Sequence, residues 1–187
     1  LPHERTLRHL NQLYAASSDP WRHRTSLYER AKYAATLEAI GPGPFQHALE
    51  IGCGNGTLLA LLAPRCRALT GLDCTRKAVT LARAAVAHMP HVTVCCAAAP
   101  DDLPAIRPDL VVLSEVLYFL TPPEIVRLAD WLNPLRARIV CVNWLGPTEE
   151  ALDGCGALRL FAAALGRRLQ AAPADYYRLD VFDGVEA

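Results

Sequence analysis

Short, nearly unbroken apolar runs alternate along this chain with stretches whose apolar residues recur at helical spacing. Residues 46–51, 68–73, 92–95, 110–114 and 139–143 are apolar runs of strand length. Between them, 57–62, 75–88 and 123–132 read as helices, the first closed by Pro64. Strand and helix in strict alternation predict a parallel sheet. The almost wholly apolar run at 110–114 implies helices over both of its faces. Ahead of this core, residues 1–40 read as helices broken at Ser17-Ser18-Asp19-Pro20, an N-terminal helical cap that Gly41-Pro42-Gly43-Pro44 ends. Beyond Trp144 come a helix near 158–165 and two strand-like runs, 168–172 and 176–182, around Pro173-Ala174-Asp175. These read as a closing antiparallel hairpin. The expected fold class is α/β, a doubly wound, mostly parallel sheet in one domain over 1–187, with a cap at 1–40 and a core at 46–182.

Composition narrows the function. At 52% apolar residues the chain can bury a core, and its 19 basic and 19 acidic residues leave no overall field for nucleic acid or an anionic membrane. A small-molecule acceptor is the expected partner, with the oligomeric state left open. The seven cysteines form no CxxC pair, and the histidines show no i, i+4 pairing beside an acid, so no metal is expected. The apolar run 109–120 is interrupted by Ser114 and Glu115 and is too short to span a membrane. With no leader read at the start, a cytoplasmic location is expected.

The candidate chemistry begins where the first strand ends, in Glu50-Ile51-Gly52-Cys53-Gly54-Asn55-Gly56. Glycines at 52, 54 and 56 permit a sharp turn and let backbone N–H groups approach a ligand at the start of the next helix. The dinucleotide pattern requires glycine or alanine at 57, where this chain has Thr57. Glu50, two residues before the first glycine, would repel a pyrophosphate but suits a ligand's amino group. NAD is disfavoured on both counts. Asp73, with Cys74 beside it, ends the second strand about 20 residues past the glycines, where a carboxylate accepts ribose hydroxyls. Capping of the following helix is its plain structural alternative.

These residues resemble the class I S-adenosyl-L-methionine (SAM) dependent methyltransferases, with Glu50-x-Gly52-x-Gly54-x-Gly56 matching their first motif and Asp73 their second. The resemblance runs from 46 to 182. It implies a Rossmann-like seven-stranded sheet with a reversed last strand, and SAM as cofactor. Asp19-Pro20-Trp21-Arg22, Ser26-Leu27-Tyr28-Glu29, Lys32-Tyr33 and Ser114-Glu115-Val116-Leu117-Tyr118-Phe119-Leu120 look, more narrowly, like the nodulation N-methyltransferase (NodS-like) branch. That branch methylates a free amine on a de-N-acetylated chitooligosaccharide. The resemblance therefore implies N-methylation of an amine on a sugar-derived or other small molecule. Asn143-Trp144 stands where the branch carries His-Trp. An O-methyltransferase and a SAM-binding module without turnover are the alternatives.

Methyl transfer from a sulfonium is an in-line displacement, so few catalytic groups are needed beyond those that position the nucleophile and exclude water. Glu115, at the carboxyl end of the fourth strand, is placed to orient an amine or take its proton; a solvated loop acid is the bland reading. Tyr118, one turn on, can bond substrate or simply pack. In the family the segment after the third strand contacts adenine, which points to Pro100 and Asp101. Trp21 is the candidate lid and Arg24 a candidate for the cofactor carboxylate. Cys53, Cys74 and Ser114 fall beside these positions and complete the expected cofactor contacts. Tyr28 and Tyr33 read as packing within the cap. Ser114 lacks the glycine flanks of a hydrolase nucleophile.

Overall fold

Four of the five parallel strands are buried on both sides, and that dictates the layering. In the computed structural model, which describes residues 2–167, 169–173 and 176–184, seven strands form one sheet in the order β3-β2-β1-β4-β5-β7-β6. β1 (Ala48–Ile51), β2 (Leu69–Asp73), β3 (Val92–Cys96), β4 (Leu110–Ser114) and β5 (Arg138–Trp144) are mutually parallel. β7 (Tyr177–Phe182) runs antiparallel to β5, and β6 (Leu169–Pro173) antiparallel to β7. The hairpin predicted after Trp144 is therefore present. Arg168 at its start and Ala174-Asp175 at its turn lie outside the described residues.

Side-chain alternation along the strands sorts the core into two clusters. Leu49, Ile51, Val111, Leu113, Ile139 and Cys141 pack against α5 (Pro122–Leu132) and α6 (Gly154–Leu165). Ala48, Leu110, Val112, Val140 and Val142 face the other way, with α2 (Leu27–Ile40), α3 (Thr57–Leu62) and α4 (Arg76–Ala85). The sheet is thus the middle of three layers, which is why its strands read as continuous apolar runs. The cap is α1 (Pro2–Ala16), which packs on α4, followed by α2, which reaches β5. Among the described residues no helix is long and apolar enough to cross a membrane.

Local signals set the helix ends. The Ser26 hydroxyl accepts the Glu29 N–H at the start of α2, and Thr121 and Glu124 form a reciprocal capping box at the start of α5. α6 begins four residues earlier than the sequence suggests, because Asp153 accepts the Gly156 N–H (2.6 Å) and so caps a helix that opens on two glycines. α4 is shorter than expected and stops at Ala85.

The connections run outward from β1 to β2 and β3, then return to β4 and β5 on the other side of β1. The crevice between the carboxyl ends of β1 and β4 is the switch point at which such sheets bind ligands. The glycine loop that follows β1 is held close to α4: a Cβ on Gly56 (φ +81°) would lie 2.7 Å from Ala82 Cα. Gly166, at the end of α6, has the same handedness (φ +64°) but open space around it. Gly166→Ala should cost about 1–2 kcal/mol for the left-handed backbone alone. Gly56→Ala should lose distinctly more in urea unfolding, since it adds a backbone clash to the same penalty.

Candidate active site

A cavity of about 530 Å³ opens at the switch point, and the ends of β1, β2, β4 and β5 all contribute to its lining. On one side lies the loop after β1. Glu50 is 2% exposed, and its Oε2 has no hydrogen-bond partner. Burial, reinforced by the nearby Asp73 carboxylate, pushes its carboxyl up to about 8. Asp73 ties the loop to the next helix: Oδ2 accepts the Gly54 N–H (3.0 Å), while Oδ1 accepts the N–H and the hydroxyl of Thr75 (both 2.8 Å). Burial raises its carboxyl, against the lowering effect of these donors. A carboxylate offers about four acceptor positions, so Oδ2 keeps one for a ligand hydroxyl. Ribose contact and helix-end support are thus compatible at Asp73.

The opposite side is built around Glu115. It follows β4 with a positive φ of 58°, unusual for a residue with a side chain, and its N–H is held by the Val142 carbonyl (2.8 Å). Its carboxylate is almost fully engaged. Oε1 accepts from Lys32 Nζ (2.9 Å); Oε2 accepts from the Tyr118 hydroxyl (2.9 Å) and the Trp144 N–H (2.8 Å). Lys32, buried on α2, also pairs with Glu29 Oε1 at 3.0 Å. Burial would lower its ammonium, but Glu115 and Glu29 outweigh that and raise it. Tyr28 sets its ring 5.5 Å from Lys32 Nζ and touches the rings of Trp144, Tyr176 and Tyr177.

The cap forms the roof. Asp19 accepts the His23 and Arg24 N–H groups and the Asn55 side-chain amide (3.0 Å), joining the break between α1 and α2 to the glycine loop. Trp21 stacks on His23 and meets Tyr14 edge-on. The Tyr14 hydroxyl lies so close to Gly54 that a Cβ there would approach it at 3.1 Å.

Of the residues named from sequence, the structure brings Trp21, Glu50, Gly52, Cys53, Gly54, Asp73, Cys74, Ser114, Glu115 and Tyr118 to the cavity. Arg24, Gly56, Pro100 and Asp101 are not among the described lining residues. Arg24 is exposed, bound to Asp19 only through its backbone, and Gly56 packs on α4. Asp101 is exposed and paired with Arg127 (2.9 Å); the wall there is Ala97 to Ala99 instead. Burial raises the thiols of Cys53 and Cys74, the latter to about 12, which disfavours the nucleophilic thiolate form. Asn143 is fully buried behind the site, while Trp144 lines it. Tyr28, read from sequence as packing, also lines the cavity. Sequence reading gave no site role to His23, Glu29 or Lys32. Glu29 and Lys32 sit at i, i+3, a spacing that ordinarily marks a surface pair.

The family model for nodulation protein S (NodS) matches residues 5–139. A nodulation protein S of Sinorhizobium fredii is 31% identical over 122 residues, covering 65% of this chain and 56% of that protein. One from Bradyrhizobium diazoefficiens is 34% identical over 140 residues, covering 74% and 63%. The chain thus spans little more than half the length of these curated relatives. The crystal structure of N-methyltransferase NodS from Bradyrhizobium japonicum WM9, in complex with S-adenosyl-L-homocysteine (SAH), superposes with a TM-score of 0.80 at 22% identity over 97% of this chain and 99% of that one, a likeness of fold. With its motifs, its sheet order and a family match over most of its length, the chain belongs to the NodS family.

Proposed function

We propose that this chain is a cytoplasmic, SAM-dependent methyltransferase that methylates an amine of a small molecule, with sugar-derived amines the first acceptor class. The observation that carries this reading is a single cavity lined by Glu50, Gly54 and Asp73 on one side and by Glu115, Tyr118 and Trp144 on the other. Donor and acceptor would meet there without a wall between them. Family membership and the SAH complex of the B. japonicum protein support the choice of cofactor.

The residues present fit that cofactor. Glu50 Oε2, buried and unpartnered, would take the amino group; Asp73 would accept a ribose hydroxyl. Gly52 lets Val116 pack directly on the loop, where a Cβ would lie 2.2 Å from Val116 Cγ2, and Gly54 does the same for the Tyr14 hydroxyl, so the loop backbone stays close to the cavity wall. SAM, when bound, supplies a methyl group on a sulfonium. The chain's own work is then to exclude water and align the acceptor. Trp21 and Tyr14 close the roof, and Glu115, fixed by three hydrogen bonds, presents a stationary negative charge at the end of β4.

SAH should bind in calorimetric titration where NAD does not. Asp73→Ala should weaken SAH by about ten- to a hundredfold, the scale of a charge-assisted hydrogen bond; unchanged affinity in the folded variant would sink the ribose assignment. Transfer of labelled methyl from SAM to D-glucosamine but not to N-acetyl-D-glucosamine, which keeps the hydroxyls and blocks the amine, would separate N- from O-methylation.

Glu50 gives a pH signature. The unfolded chain loses this proton near 4.5 and the folded chain near 8, so the folded state holds more protons and its stability falls as pH rises through that window. Glu50→Gln should match the wild type at pH 4 and exceed it at pH 8 by roughly 2 kcal/mol or more in thermal unfolding. The same variant should lose SAH affinity at least about tenfold. Binding of SAH to the wild type at pH 7 should release a proton, read as a dependence of the measured heat on buffer ionisation enthalpy.

A further inference from the structure

Glu115 is poorly placed to receive an acceptor amine on its own, because Lys32, Tyr118 and Trp144 already occupy three of its roughly four acceptor positions. Its neighbour in the ion-pair cluster differs. Glu29 is 6% exposed and lines the same cavity; Oε1 takes Lys32, but Oε2 is buried without a hydrogen-bond partner. His23 Nε2 lies 3.9 Å from Oε2, beyond hydrogen-bond distance, and burial lowers that imidazole below its ordinary value, against the raising effect of Glu29. Two carboxylates, Glu29 and Glu115, therefore share one ammonium. The cluster carries one uncompensated negative charge beside a cavity, a costly arrangement unless a cation completes it. The Tyr28 hydroxyl is likewise buried and unpartnered, and its ring already faces the ammonium of Lys32.

We propose that Glu29 Oε2 is the acceptor-ammonium site: the carboxylate that binds the incoming amine as its cation, beside Tyr28, while Lys32 holds Glu29 and Glu115 in place. This rests on the methyltransferase reading and refines it, giving Glu29 the direct contact and leaving Glu115 as the scaffold. The acceptor is then a primary or secondary amine that arrives charged. At reaction its proton leaves to the Glu29 carboxylate, the freed lone pair forms the N–C bond, and the C–S bond breaks to leave SAH.

A test independent of the natural acceptor uses two SAH analogues in which nitrogen replaces sulfur. One carries a 2-aminoethyl arm where the transferable methyl would be, the other an isosteric propyl arm. In the wild type the aminoethyl analogue should bind at least about tenfold more tightly than the propyl one, as for a desolvated charge-assisted contact. Glu29→Gln should erase that preference while keeping its affinity for SAH, which also reports that it is folded. Glu29→Asp should retain part of the preference, and Glu115→Gln most of it. Equal binding of the two analogues by the wild type overturns the proposal, as does a preference that survives in Glu29→Gln and vanishes in Glu115→Gln. Failure of the wild type to bind SAH at all is a different result, which removes the methyltransferase reading and this site with it.

Discussion

A sheet covered by helices on both faces penalises an unpaired polar side chain in its interior, a cost that Asn143 on β5 bears, and this constraint steers the acids of the cavity toward the strand ends. β4 is apolar up to Ser114, and the acids that the sheet itself brings to the cavity, Glu50, Asp73 and Glu115, fall in the last two residues of β1, at the end of β2 and one step beyond β4. Because the chain reverses its direction of travel across the sheet between β3 and β4, the loops after β1 and β4 diverge to opposite faces and leave a crevice between them. The crevice is thus a product of strand order, and the charges in it of the need to keep polar groups out of the core.

A crevice of buried acids would repel itself without compensation, and the two sides meet that problem differently. Around Asp73 the donors are local: the backbone of Gly54 and both donors of Thr75 come from the loops the carboxylate itself organises. Glu50 lacks such donors, and burial keeps its proton on instead. At Glu115 the counter-charge comes from far away in sequence. Lys32 on α2 spans 83 residues to reach it, so the N-terminal cap is an electrostatic part of the site as well as its cover. The Asp19 to Asn55 bond makes the same connection on the cofactor side. Both halves of the cavity are therefore completed only when the cap is seated.

Much of the fold was legible because it is written in short-range patterns. Apolar runs of strand length, glycine stops and capping residues depend on neighbours a few positions apart, and β4 and α3 fall at their expected bounds. The placement of Gly52, Gly54 and Asp73 at the cavity was legible for the same reason, since a turn, a helix start and a strand end recur at fixed spacing. The start of α6 was not, because two glycines hide a helix whose cap is a single hydrogen bond from Asp153. Arg24 shows another limit. Its charge suits a cofactor carboxylate, but the Asp19 side chain gathers the backbone of that turn and leaves the Arg24 side chain in solvent. Asp101 is likewise turned away from the described cavity lining and paired with Arg127.

The cluster on α2 was illegible for a deeper reason, and that reason bears on how the site works. Glu29 and Lys32 look like an ordinary helix-surface pair, and nothing within the helix distinguishes them. Their meaning comes from the side of α2 that is turned toward β5, which buries both residues and brings Glu115 within 2.9 Å of the ammonium. In water such a pair contributes little; once desolvated, the balance of two carboxylates against one ammonium becomes a property of the cavity. A cationic acceptor changes that balance in the favourable direction and a neutral or anionic one does not. Selection for an amine would then begin with the charge of the empty cavity, before any shape in the acceptor is read.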